Sequence, residues 1–97
     1  TLFPYTTLFR SGKEQTVKMQ VDNRLAGVII DRFGKDVMMI PTDEEHFTVK
    51  VDVHVSRQFL GWIFSLGEGI KIVGPEEVVN QMKAECERLM GQYQLPQ

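Results

Sequence analysis

The run S-R-Q-F-L-G-W-I-F-S-L-G-E-G-I-K-I-V-G-P, residues 56–75, reads as helix, stop, strand, stop and a second helix start. Ser56 is placed to accept a hydrogen bond from a free backbone N–H of the first helical turn. Phe59, Leu60, Ile63 and Phe64 follow at three- and four-residue spacing, which assigns them to one helix face. Gly67 supplies the left-handed residue that ends such a helix. Ile70–Val73 makes a short strand, and Pro75 suits the opening of the next helix, where its missing N–H costs nothing. Nothing in this stretch carries chemistry; it is scaffold.

Upstream, Val17, Met19 and Val21 alternate with Thr16, Lys18 and Gln20, the pattern of a strand with one buried face. Asn23 is read as a helix cap, Leu25, Val28, Ile29 and Phe33 as an apolar helical stripe, and Gly34 as its stop. Val37–Ile40 is apolar on both faces and ends at Pro41; Thr42–Glu45 is a polar turn. Phe47, Val49, Val51 and Val53 then alternate with Thr48, Lys50 and Asp52, the clearest strand in the chain.

Strand–helix–strand–strand–helix–strand predicts an α+β fold: a ferredoxin-like βαββαβ sandwich, with an additional C-terminal helix from Pro75 to about Gln92. Both connecting helices cover one sheet face. The other is expected to present Lys18, Gln20, Thr48, Lys50, Asp52 and Lys71, with either the Met38/Ile40 or the Val37/Met39 pair as an apolar strip, a surface suited to a partner or ligand. On the last helix Val78, Val79, Met82, Cys86, Leu89, Met90 and Tyr93 form a stripe that must bury against its own domain, a neighbouring domain or a second copy.

Several of these elements, taken in order, resemble a known family. The residues are D-R-F-G at Asp31–Gly34, F-T-V-K-V-D-V at Phe47–Val53, S-R-Q-F-L-G-W at Ser56–Trp62, L-G at Leu66–Gly67, and the proline-led final helix closing at Tyr93. Together they resemble the C-terminal extension domain that follows the WYL domain in bacterial transcription regulators of the helix-turn-helix type. The resemblance implies one such domain over residues 12–95, without the family's DNA-binding and WYL domains. It implies a non-enzymatic module that helps the parent protein form a homodimer and couples effector sensing by the adjacent WYL domain to DNA binding. DNA would be touched only through the missing helix-turn-helix, and the effector would be a nucleotide or nucleic acid.

Bulk composition fits that frame. Ninety-seven residues, 42% apolar and 25% charged, describe one small globular domain. The net charge of −2, with both signs interspersed, lacks the basic excess of a domain that binds nucleic acid on its own. The sole cysteine, Cys86, cannot form an internal disulfide, which suits a reducing cytoplasm, and no apolar run nears the roughly 20 residues of a membrane span. Thr1–Ser11 stands apart: it repeats T-L-F, has no lysine and lacks a signal-peptide cleavage site. It is read as a non-native (translated adapter) or disordered segment, with the authentic upstream sequence lost near Gly12.

Chemistry finds little purchase. His46 and His54 share a strand face but lie roughly 26 Å apart at strand rise, too far to ligate one metal. Cys86 is expected as a small buried hydrophobe on its stripe. Asp43, Glu44 and Glu45 read as a solvated turn rather than an acid–base pair. Gly67–Gly69 follows a helix and precedes a strand, the reverse of a phosphate loop. No cofactor or metal is expected. The candidate ligand or partner contacts are Lys18, Arg24, Arg32, Lys50, Arg57 and Trp62, the tryptophan as a stacking or packing surface. Two other readings share the fold: a free-standing small-molecule-binding domain, and an acylphosphatase-like hydrolase using Asn23 and Arg24 after the first strand.

Overall fold

The computed structural model describes residues 14–94; the reading of Thr1–Ser11 lies outside them. The elements are β1 (Gln15–Asp22), α1 (Ala26–Phe33), β2 (Met39–Pro41), β3 (His46–Val53), α2 (Arg57–Ser65), β4 (Ile70–Gly74) and α3 (Glu76–Gln92). Short 3-10 turns, Asn23–Leu25 and Gly67–Gly69, lead into α1 and β4. The strands form one antiparallel sheet in the order β2-β3-β1-β4, the ferredoxin-like arrangement with α3 added at the end.

The alternation read from the sequence becomes two rows across the sheet. Met39, Val49, Met19 and Ile72 sit side by side on the core face, with Val17, Val51, Val21, Phe47 and Ile70 around them. Ile29 from α1, Phe59, Leu60 and Ile63 from α2 and Val78 from α3 close the core. On the opposite face the matching row is Ile40, Thr48, Gln20 and Lys71. Met38 and Ile40, 69% and 53% exposed, therefore form the open face's apolar strip, while Val37 and Met39 pack inward.

Local chemistry explains the element ends. Ser56 Oγ accepts from the Phe59 N–H at 3.2 Å, capping α2. The Thr42–Glu45 turn is closed by Asp43 Oδ1 accepting from the Glu45 N–H at 2.7 Å. Asn23, in contrast, does not cap. Its Nδ2 donates to the Glu44 carbonyl at 2.9 Å and its backbone N–H to Glu45, tying the end of β1 to the β2–β3 turn. β2 is shorter than its apolar run and includes Pro41, tolerable on an edge strand that pairs only with β3. A bulge opposite Lys18/Met19 passes over Val73 in β4, which blunts the other edge.

The helices depart from their stripes at two places. Phe64 is 65% exposed, because Phe59, Leu60 and Ile63 already face the sheet and the next residue turns away. Cys86 is also exposed: α3 meets the body through Val78, with Val79 and Met82 half-buried, and its second half turns Met90 and Tyr93 to solvent.

Gly34 ends α1 at φ 95°, ψ 158°, a region that side chains other than glycine's scarcely enter, and a Cβ there would touch nothing within 4 Å. Gly34→Ala should therefore cost about 1–3 kcal/mol through the backbone alone. Gly61→Ala, in the middle of α2 with equally free space, should instead stabilise by about 1 kcal/mol. Urea unfolding of the two variants gives shifts of opposite sign; equal shifts would contradict the assigned Gly34 conformation.

Candidate functional site

The open sheet face carries a feature that costs stability. Lys18 in β1 and Lys50 in β3 are direct cross-strand partners, and like charges so placed repel. Lys71 lies on the next strand, opposite Gln20. None of the three lysines has an ion pair or hydrogen bond among the described residues. The groups between them are uncharged: Gln20, and Thr48, whose hydroxyl shares a 2.6 Å hydrogen bond with that of Thr42. Of the strand carboxylates on the flanking rows, Asp52 is engaged by the Thr16 hydroxyl at 2.5 Å and Asp22 by Arg24 and His46. Folding has thus brought together unpaired cations beside hydrogen-bonding side chains, on a flat surface edged by Ile40 and Met38. Such an arrangement can hold an anion.

The other four predicted contacts lie elsewhere, in three separate places. Arg24 Nε donates to Asp22 Oδ2 at 3.2 Å, at the end of the sheet. Arg32 stacks 4.7 Å from the Trp62 ring centre. That ring also meets Phe33 edge-on at 5.6 Å and Phe59 at 6.3 Å, so Trp62 joins α1 to α2. Arg57 Nε bonds Glu85 Oε2 at 3.0 Å, and Arg88 Nε bonds Glu85 Oε1 at 3.0 Å, clasping α2 to α3. Burial pushes the Glu85 carboxyl up, but the two guanidinium groups outweigh it and hold the carboxyl below its usual value. Asn23 and Arg24, the pair a hydrolase would need, are each engaged by neighbouring carbonyl or carboxylate oxygens.

A cluster absent from the sequence-derived set sits at the sheet end. His46 Nδ1 lies 2.9 Å from Asp43 Oδ1, and its Nε2 lies 3.1 Å from Asp22 Oδ1. The β1–β3 register sets Asp22 opposite His46, and the turn adds Asp43. Positions 22, 43 and 46 show no motif in the sequence; only register brings them together. Among the described residues no group of His, Cys, Asp and Glu side chains could hold a metal ion, and no helix is long and apolar enough to cross a membrane.

The model of the WCX domain matches residues 13–90. The chain belongs to the WCX domain family. WCX is the C-terminal domain of WYL-containing regulators, so the family match agrees with the resemblance carried by Asp31–Gly34, Phe47–Val53 and Ser56–Trp62. Among curated proteins none matches this WCX domain.

The His46 cluster makes the WCX domain's stability depend on pH. The hydrogen bond with Asp43 raises His46 above its ordinary 6.5, against a smaller desolvation effect, and the charges of Asp43, Asp22 and Glu45 add to the rise. The Glu45 N–H, then His46, hold Asp43 below its ordinary 3.8. A raised folded-state pKa means that the His46 contribution is complete below 6.5 and disappears as pH climbs through the folded value. The Asp43 contribution is present above 3.8 and is lost on acidification through its folded value. The stability gap between wild type and His46→Gln should be widest between those two ordinary values and shrink above them, measured by urea unfolding across pH. A gap as large at about pH 8 as at about pH 5.5 would show that the clasp carries no charge.

Proposed function

We propose that this WCX domain is the regulatory and assembly module of a dimeric bacterial transcription regulator. In that protein it couples effector sensing by an adjacent WYL domain to DNA binding by a helix-turn-helix domain, in a reducing cytoplasm that suits an exposed, unpaired Cys86. The observation that carries the reading is the family match over residues 13–90. The domain performs no catalysis; it works by favouring one subunit arrangement over another, the only way a ligand can bias distant DNA-binding heads. Light scattering on the full-length regulator tests the assembly role. A dimer is expected, and a strictly monomeric regulator at every concentration, with and without operator DNA, overturns it.

The unpaired lysines support a second part of the reading: the open sheet face meets an anionic effector, a nucleotide or single-stranded nucleic acid. Lysines that repel one another in the free domain and bind an anion together leave a signature that structural lysines do not. Lys50→Thr removes the repulsion and places a good strand former in β3. It should stabilise the free chain by up to about 1 kcal/mol. In the full-length regulator the same substitution should weaken binding of a fluorescent single-stranded oligonucleotide and reduce the slope of log K against log salt by about 0.7. Stabilisation without any loss of oligonucleotide binding would remove the lysine row from the effector reading.

A further inference from the structure

The open sheet face ends in a polar hollow that the lysine row and the histidine cluster share. Gln20 and Lys71 line it from the first, Asp22 and His46 from the second, and Glu68 stands at its edge. Strand register explains the meeting. Lys71 lies opposite Gln20, so Asp22, two residues along the same face of β1, is its diagonal neighbour, a separation that a lysine side chain spans. Neither Lys71 nor Glu68 has an ion pair among the described residues.

The contacts of His46 dictate its protonation state. Nδ1 lies 2.9 and 3.1 Å from the two oxygens of Asp43, and Nε2 lies 3.1 Å from Asp22 Oδ1. Ionised carboxylates only accept hydrogen bonds, and a neutral imidazole donates from one nitrogen alone. Both contacts therefore exist together only in the imidazolium. When the proton leaves for solvent, one nitrogen presents a lone pair to a carboxylate, and that contact breaks. The Asp43 side survives, because both its oxygens lie against Nδ1 and the Glu45 N–H, at 2.7 Å from Oδ1, already fixes that carboxylate. The Asp22 side is lost. Arg24 keeps its hold on Asp22 Oδ2 at 3.2 Å, while Oδ1 is left free in the hollow that Lys71 lines.

The charged groups facing His46 set the pH at which this happens. The hydrogen bond with Asp43 comes first, then the charges of Asp43, Asp22 and Glu45; against a smaller desolvation effect they hold His46 above its ordinary 6.5. Across the hollow Glu68 acts in the same direction, and Arg24 and Lys71 act against it. The imidazolium thus persists up to 6.5 and is lost as pH rises through the folded value.

We infer that His46 is a proton-operated latch on the lysine face: its imidazolium keeps the Asp22 carboxylate from Lys71, and deprotonation releases that carboxylate to compete with a bound anion. The inference rests on the anionic-effector reading proposed above and adds its regulation. Anion binding and His46 protonation then favour one another, equally in both directions.

The test is the affinity of the full-length regulator for a fluorescent oligothymidylate, whose phosphodiester charge is constant over the range used. Wild-type affinity should fall roughly threefold between about pH 5.5 and about pH 8.5, the worth of one exposed ion pair. Asp22→Asn leaves no carboxylate to release, and should hold its low-pH affinity throughout. Lys71→Thr leaves nothing to compete for. It should bind more weakly than wild type at low pH and show no further fall, which guards against a folding defect peculiar to the first variant. His46 still loses its charge in both variants, so a fall that persists undiminished in them comes from that charge acting through space and overturns the latch. Wild-type affinity that does not change with pH overturns it as well. Either result leaves the lysine face intact as long as Lys50→Thr weakens binding. Oligothymidylate binding indifferent to both Lys50→Thr and Lys71→Thr removes the effector face and the latch together.

Discussion

The register of β1 against β3 is the constraint from which the rest of this domain follows. The pairs Val17–Val51, Met19–Val49 and Val21–Phe47 place every apolar side chain of the two central strands on the helix-covered face. Because side chains alternate with a period of two, the same register necessarily sends Lys18, Lys50, Gln20 and Thr48 to the other face. A slip by one residue would bury the lysines and expose the valines together. The repulsion between Lys18 and Lys50 is thus accepted as part of a register held by a far larger apolar term. Each buried valine or methionine is worth about 1.5–3 kcal/mol, against at most about 1 kcal/mol for one unfavourable cross-strand pair.

That balance also explains what the sequence disclosed. Strong periodic signals survive folding, because tertiary packing reinforces them. The alternation at Phe47–Val53, the Ser56 cap and the stops at Gly34 and Gly67 appear in the structure as read. The order of elements sufficed for the sheet topology, since right-handed crossovers leave few alternatives. Features that depend on a partner outside the local stretch were not legible. Asn23 has the composition of a cap, yet its amide is claimed by the Glu44 carbonyl 21 residues away. Phe64 fits an apolar stripe by spacing, but three residues of α2 already fill the space above the sheet. Cys86 fits the α3 stripe equally well, and lies beyond the point where α3 has a body to pack against.

The candidate site divides along the same line. Lys18 and Lys50 could be paired from alternation plus topology, and Lys71 could have joined them had the β1–β4 register been known. Arg24, Arg32 and Arg57 looked like equivalent helix-end cations, yet each is held by a different neighbour, Arg24 by Asp22, Arg32 by the Trp62 ring and Arg57 by Glu85. Sequence gives the charge of a side chain but not its nearest neighbour. That neighbour decides whether the charge is free for a ligand.

β4 shows how far that register reaches. Ile70 and Ile72 join the core while Lys71 between them takes its place beside Gln20 on the open face, so the period of two set by β1 and β3 extends to the edge of the sheet. The bulge at Lys18/Met19 passes over Val73 and interrupts the pairing within a strand of 5 residues, which keeps an exposed edge from recruiting further strands.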